Sequence, residues 1–146
     1  MIKPLLKPTK IKSVTEGTLW SNFSKFIRAR DADERGYCKC ISCSTIKQWN
    51  DGMQAGHFVS QGSDHAVKYN EINNNAQCVS CNMYKSGNLV AYRPRLINKY
   101  SKEIVEKLEL SHEFKTTKKK LTELEIKELN KYYLKKFNEI KKTKCL

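Results

Sequence analysis

No run of about 18 apolar residues occurs in this 146-residue chain, so it contains no segment built to cross a bilayer as a helix. The amino-terminal stretch Met1-Ile2-Lys3-Pro4-Leu5-Leu6-Lys7-Pro8 carries lysines, but its apolar part is too short for a secretory signal, and an intracellular location is the expectation. Acidic residues are scarce. Only 15 Asp and Glu stand against 28 Lys and Arg, a net charge of +13 with a pI near 9.5. That excess concentrates polyanions and supplies the salt-sensitive, sequence-independent part of nucleic-acid affinity, which makes nucleic acid the leading partner class. Charge alone does not decide it, because an AT-rich genome also yields lysine-rich chains. No internal repeat is present other than one doubled cysteine pair. Hydrophobic content of 39% suits one modest core, and small cores gain most from a metal staple.

Six cysteines remain to be explained, and a reducing compartment argues for metal ligands over disulfides. Cys40-Ile41-Ser42-Cys43 and Cys78-Val79-Ser80-Cys81 are pairs of one form, and four thiolates so spaced close a tetrahedral zinc site. Cys38 competes with Cys40 as a ligand, but two residues between ligands is the commoner knuckle. Cys145 reads as an unconstrained tail thiol. The 34 residues between the pairs exceed the usual zinc-ribbon interval and predict an inserted functional hairpin.

Residues 1–17 read as a basic arm. From Thr18 to Ala32, Leu19, Trp20, Phe23, Phe26 and Ile27 recur at helical steps, with Lys25, Arg28 and Arg30 assigned to the other face. Residues 37–81 predict short strands and ordered loops, and a short helix is expected over Cys81 to Tyr92 with Asn82 in its first turn. Leu96 to Leu110 predicts one helix or two short ones. Thr122-Glu123-Leu124-Glu125 has the form of a capping box, with Leu121 and Ile126 as a hydrophobic staple. It opens a helix striped by Ile126, Leu129, Tyr133, Phe137 and Ile140, which either packs on its own domain or pairs with a second copy.

Within the insert, Gln54-Ala55-Gly56-His57-Phe58 places a histidine where it can take a proton from water at neutral pH. Asn73 to Asn75 are candidates to orient its ring. Asn82 offers an oxygen to a hard divalent cation, of the kind phosphodiester hydrolysis uses to stabilise developing charge. Lys85 and the Ser86-Gly87-Asn88 turn are candidates to hold phosphates.

The order of knuckle, Ala55-Gly56-His57-Phe58, an asparagine near Asn73 and Cys78-Val79-Ser80-Cys81-Asn82 resembles the zinc-bearing branch of the HNH, or ββα-metal, nucleases. More narrowly, Ile27-Arg28-Ala29-Arg30-Asp31, Tyr69-Asn70-Glu71, Asn75-Ala76-Gln77-Cys78, Ser86-Gly87-Asn88 and Tyr92-Arg93 resemble the phage NinG (Rap) recombination nucleases. The resemblance covers roughly residues 18–100. It implies an α+β fold, a small zinc-stapled ββα-metal module flanked by N- and C-terminal helices, with residues 101–146 a basic helical extension. It further implies a DNA endonuclease acting on branched recombination intermediates such as Holliday junctions, in the host cytoplasm, with structural zinc and catalytic magnesium or manganese. His57 matches the general base, Asn73 the middle asparagine and Asn82 the metal-binding residue. Arg28, Arg30, Lys85 and Arg93 are the candidate DNA contacts. Gly56 departs from the pattern, since many HNH nucleases carry a metal ligand there; His65 and Asp64 are the nearest replacements, with Gln54 behind them. Paired cuts at a junction imply a homodimer, for which the final helix is a candidate interface. Two alternatives stay open: a non-catalytic zinc-stabilised DNA-binding module, and an HNH nuclease preferring linear duplex.

Overall fold

The computed structural model describes residues 13–62, 64–113 and 119–146, with the backbone alone at 112 and 113. Most of the basic arm, residues 1–12, lies outside them. The fold is mixed α and β. Helix α1 (Glu16–Asp31) starts where the Thr15 hydroxyl accepts from the Thr18 N–H, and it buries Leu19, Phe23, Phe26, Ile27 and Ala29. Two small antiparallel sheets follow. β1 (Tyr37–Lys39) pairs with β2 (Ile46–Gln48) around the first knuckle, and β3 (Met53–His57) pairs with β4 (Asn74–Cys78) in a register that sets Gly56 opposite Asn75 and His57 opposite Asn74. Between β3 and β4 lies the one-turn helix α2 (His65–Lys68), whose N-terminus is capped by Asp64.

The expected helix after Cys81 takes another form. Ser80–Tyr84 winds as a π-helical turn that carries Asn82, and helix α3 (Leu89–Tyr100) begins only beyond it. Three successive residues in the left-handed region separate the two, Ser86 (φ 48°), Gly87 (φ 85°) and Asn88 (φ 45°). Such a conformation costs a non-glycine residue on the order of 1 kcal/mol or more and clusters at functional sites. Helix α4 (Lys102–Glu113) follows directly, split from α3 at Ser101.

Helix α5 (Glu123–Lys141) opens with the complete Thr122/Glu125 capping box. Its stripe packs within the chain: Tyr133 is buried on Phe23 and Phe26 of α1, Phe137 lies against Trp49 in the same cluster, and Ile126, Leu129 and Ile140 pack beside them. That face is therefore occupied, and the 101–146 segment is joined to the core rather than appended to it. A second cluster, Phe58, Val59, Val67, Tyr92, Leu96, Val105 and Leu108, locks α3 and α4 against the chain leaving β3. The carboxyl terminus is also held, with the Cys145 N–H donating to the Glu34 carbonyl and Leu146 packed near the core, so only the exposed Cys145 thiol fits the expectation of a loose tail. Among the described residues no helix is long and apolar enough to cross a membrane.

Candidate functional site

The four paired cysteines converge. The Sγ atoms of Cys40, Cys43, Cys78 and Cys81 all lie within 4.8 Å of one another, and Cys43 and Cys78 are 3.7 Å apart. Zinc bonded to sulfur at about 2.3 Å in a tetrahedron sets sulfurs about 3.8 Å apart, so this donor set fits the ion. Backbone geometry makes the fit. The Cys40 N–H donates to the Thr45 carbonyl and the Ser44 N–H to the Cys40 carbonyl, closing the first knuckle, while the Ile41 N–H reaches the Ala76 carbonyl and ties that knuckle to β4. Asn88 Nδ2 donates to Cys81 Sγ at 3.4 Å, an outer-shell contact of the kind that orients a thiolate ligand. Burial opposes ionisation of Cys43, but the Thr45 contacts and the neighbouring thiols outweigh it and hold its pKa down to about 6. Cys38 stands outside the cluster. Its thiol donates to the Arg28 carbonyl at 3.1 Å, and burial pushes its pKa up to about 12.

A cleft of about 330 Å³ opens beside this centre, lined by His57, Phe58, Ser60, Asn82, Ser86, Gly87 and Leu89. His57 stands at the end of β3, and Asn82 follows the second knuckle directly. Burial holds the His57 pKa below the ordinary 6.5, so the neutral ring predominates at neutral pH. Gln61 Nε2 lies 2.8 Å from His57 Nδ1, an arrangement that donates to Nδ1 and puts the ring proton on Nε2. Flipping the amide, so that its oxygen accepts from Nδ1–H, would leave Nε2 free to accept a proton. Asn82 Nδ2 donates to Gln54 Oε1 at 2.7 Å, and Asn82 Oδ1 has no partner among the described residues.

Asn73 sits elsewhere than expected. Its side chain bonds the N–H and carbonyl of Val59 and the carbonyl of Val67, so it pins the segment two residues beyond His57 and does not touch the ring. Asn75 accepts from Arg30 and Lys99 and donates to Tyr92, so it also leaves the ring alone.

Gly56 is fixed by its neighbours. A Cβ there would stand 2.1 Å from Gln77 Oε1, and Gln77 is itself anchored by donating to Ser42 Oγ and the Gly87 carbonyl. Tyr92, fully buried, donates its hydroxyl to the Gly56 carbonyl at 2.8 Å. The ligand expected at this position is therefore absent because a cross-strand glutamine fills its space. Replacing Gly56 by Ala is expected to cost about 1–3 kcal/mol through overpacking, and the cost should largely vanish in a Gln77→Gly background, which also removes the Gln77 Cβ that would lie 2.8 Å away. Denaturant melts of the four proteins measure it; additive losses would contradict the packing explanation.

The proposed replacements for that ligand do not line the cleft. Asp64 caps α2 by accepting from the Ala66 N–H, and His65 accepts from the Leu121 N–H at Nδ1 while Nε2 lies 3.2 Å from Glu16. Three of the four candidate DNA contacts are likewise engaged. Arg28 bonds the Ser24 and Trp49 carbonyls and covers the Trp49 ring; Arg30 is clasped by Asp31, the Glu71 and Asn74 carbonyls and Asn75; Arg93 is paired with Glu109. Lys85 alone of the four is exposed with no side-chain partner among the described residues. Sequence reasoning missed Gln61, Gln77 and Tyr92, whose roles depend on contacts across strands and loops that no local motif encodes.

Comparison with known proteins now adds to this geometry. Residues 4–143 match the family described as Bacteriophage Lambda NinG protein. The chain belongs to the NinG family. Protein ninG of Escherichia phage 933W and that of Escherichia phage lambda are each 43% identical to it over 89 residues, and that of Salmonella phage P22 is 40% identical over 89 residues. Those 89 residues are 60% of this chain and 40% of each relative, so the chain spans under half the length of these NinG proteins. No solved structure matches.

Proposed function

We propose that the chain is a metal-dependent DNA endonuclease of the zinc-bearing ββα-metal type, selective for branched recombination intermediates such as Holliday junctions. The observation that carries this reading is the shared cleft: an antiparallel hairpin ends in His57, the chain leaving its second strand delivers Asn82, and both face one cavity whose wall is tied to the four cysteines. Zinc would be structural, since four sulfurs leave it no open position.

In this reading His57 Nε2 takes a proton from a water molecule as its oxygen attacks phosphorus. The bond to the leaving oxygen breaks in line, and that oxygen is protonated from solvent. A magnesium or manganese ion would supply positive charge at the phosphate and leaving oxygen. Asn82 Oδ1 would hold it, oriented by Gln54. Among the described residues no carboxylate lines the cleft, and hard cations are usually held by one or two. One amide oxygen is a sparse donor set, so the ion would have to arrive with the substrate and keep most of its water. Lys85 and the unbonded N–H groups at the start of α3 supply further phosphate contacts.

The lack of a carboxylate also favours a second reading, a zinc-stabilised DNA-binding module without catalysis. One assay separates the readings: a synthetic four-way junction and its matched linear duplex incubated with the zinc-loaded protein and magnesium, manganese or neither. The proposal expects metal-dependent cutting of the junction in preference to the duplex; equal cutting would indicate a linear-duplex nuclease, and binding without cutting the non-catalytic module. Paired cuts call for two clefts and hence a dimer, which would need a face other than the covered stripe of α5.

The acid limb of the rate is also fixed by this reading. Because burial lowers the His57 pKa, the base form persists as pH falls, and the rate should reach half its plateau below pH 6.5. Gln61→Glu would set an anion beside Nδ1, raise that pKa and move the limb to higher pH. A limb that stays put in Gln61→Glu single-turnover profiles would contradict the assignment.

A further inference from the structure

The rim of the cleft carries apolar side chains turned to solvent. Tyr84 is 82% exposed and Val90 91%, with Met83 and Leu89 beside them in sequence also exposed. The four straddle the Lys85–Asn88 turn, and Leu89 lines the cleft itself. Met83 Sδ meets Gln54 Nε2 at 3.5 Å, which places the rim against the residue that orients Asn82. The packing that buries Tyr92 and Leu96 of α3 leaves these residues out. The π-helical turn and the three left-handed residues after it hold them there, so their exposure belongs to the built backbone and not to a loose end.

The charge around them narrows the occupant. Exposed Lys85 stands between Tyr84 and the cleft-lining Ser86 with no side-chain partner among the described residues, whereas Arg93, Lys99 and Lys102 of the same stretch are paired with Glu109, Asp31 and Glu106. An aromatic edge beside an unpaired cation is complementary to a polyanion that has an exposed flat apolar face, and DNA meets that description where a base is unstacked. In a fully stacked duplex base faces are hidden; at a branch point they become available.

We infer that exposed Tyr84, at the entry to the turn that walls the cleft, is a stacking platform for an unpaired DNA base at a branch point, adjoining the phosphate held in the cleft. The inference rests on the reading of the protein as a branched-DNA nuclease and gives that reading a structural source of selectivity. Aromatic stacking of this kind is tolerant of base identity, so it selects DNA form and not sequence.

The test uses the full, zinc-loaded chain with no magnesium or manganese added, with a four-way junction carrying 2-aminopurine at the branch and a matched duplex carrying it internally. Wild-type protein should change the fluorescence of the junction probe and leave the duplex probe nearly unchanged. Tyr84→Ala should abolish that change and weaken junction binding roughly 5- to 100-fold, with duplex binding unaltered, while Tyr84→Trp should retain both. Junction affinity and fluorescence unchanged in Tyr84→Ala would overturn the inference. So would a sedimentation shift from dimer to monomer in that variant, which would make the rim a contact between copies. Cleavage is then read separately with magnesium: a Tyr84-dependent fluorescence change without cutting refutes the nuclease reading alone, and cutting with selectivity indifferent to Tyr84 refutes the platform alone.

Discussion

Cys81→Ser is expected to leave the chain without its zinc and to remove its cooperative thermal transition. Cys81 is fully buried and its sulfur belongs to the four-sulfur cluster that ties β1 and β2 to the end of β4. Structural zinc in small domains contributes on the order of 10 kcal/mol of apparent folding free energy, comparable with the whole stability of a typical domain. A serine hydroxyl binds zinc far more weakly than a thiolate and would be left buried in an apolar surround. The cleft should collapse with the centre, because Asn82 is the next residue and Asn88, which donates to Cys81, ends the turn that forms the cleft wall. Metal analysis should find one zinc per wild-type chain and a deficit in the variant. Cys145→Ser, at an exposed position outside the cluster, should keep full zinc and the wild-type melting temperature, and Cys38→Ser should keep its zinc. A Cys81→Ser protein that retains zinc and melts normally would remove the scaffold from the account.

Arg30→Ala is expected to cost about 3–5 kcal/mol, the range for removing one partner of a buried ion pair. The Arg30 and Asp31 side chains are only 21% and 10% exposed, and the guanidinium joins α1 to β4 by bonding Asp31, the Glu71 and Asn74 carbonyls and Asn75. Asp31 in turn accepts from the Ala76 N–H at 2.8 Å and from Lys99. Without Arg30 the carboxylate keeps only part of its compensation and two carbonyls lose their donor. Burial alone would raise the Asp31 pKa, but bonds from Arg30 and Lys99 outweigh it and the pKa is lowered. A carboxylate depressed in the folded state contributes stability above its unfolded value, near 3.9, and loses it as pH falls through the folded value. The wild type should therefore lose this contribution only in acid below about pH 4, and the Arg30→Ala deficit should shrink in that window. Urea melts at neutral pH and at about pH 3 measure both effects. A near-neutral substitution would mean that Arg30 is free for DNA.

Much of the site was legible because its signals are local. Two cysteine pairs at matched spacing identify four ligands wherever the chain runs between them, and Cys40 over Cys38 followed from knuckle spacing. The capping box at Thr122 and the stripes of α1 and α5 were readable for the same reason. Partnership was not readable. Arg28 and Arg30 carry the same charge in the sequence whether they meet phosphate or backbone carbonyls, and apart from Asp31 the groups that claim Arg30 lie more than 40 residues away. The α5 stripe looks alike whether α1 or a second copy covers it. Gly56 showed a missing ligand, but the reason for its absence is a cross-strand side chain, Gln77. The π-helical turn escaped because its geometry is set by the zinc knuckle before it and the left-handed residues after it, not by helical periodicity.

The central claim is that His57 is the base of a metal-dependent cleavage reaction in a cleft built on the cysteine centre. Single-turnover cleavage of a four-way junction by zinc-loaded wild-type and His57→Ala protein, with magnesium and with no magnesium or manganese added, tests it most directly. The account predicts a rate lower by about 10²- to 10⁴-fold in the variant, unchanged junction affinity, and no cutting by either zinc-loaded protein without magnesium or manganese. A His57→Ala protein that cuts at the wild-type rate, or a wild-type protein that binds the junction and never cuts it, would contradict the account.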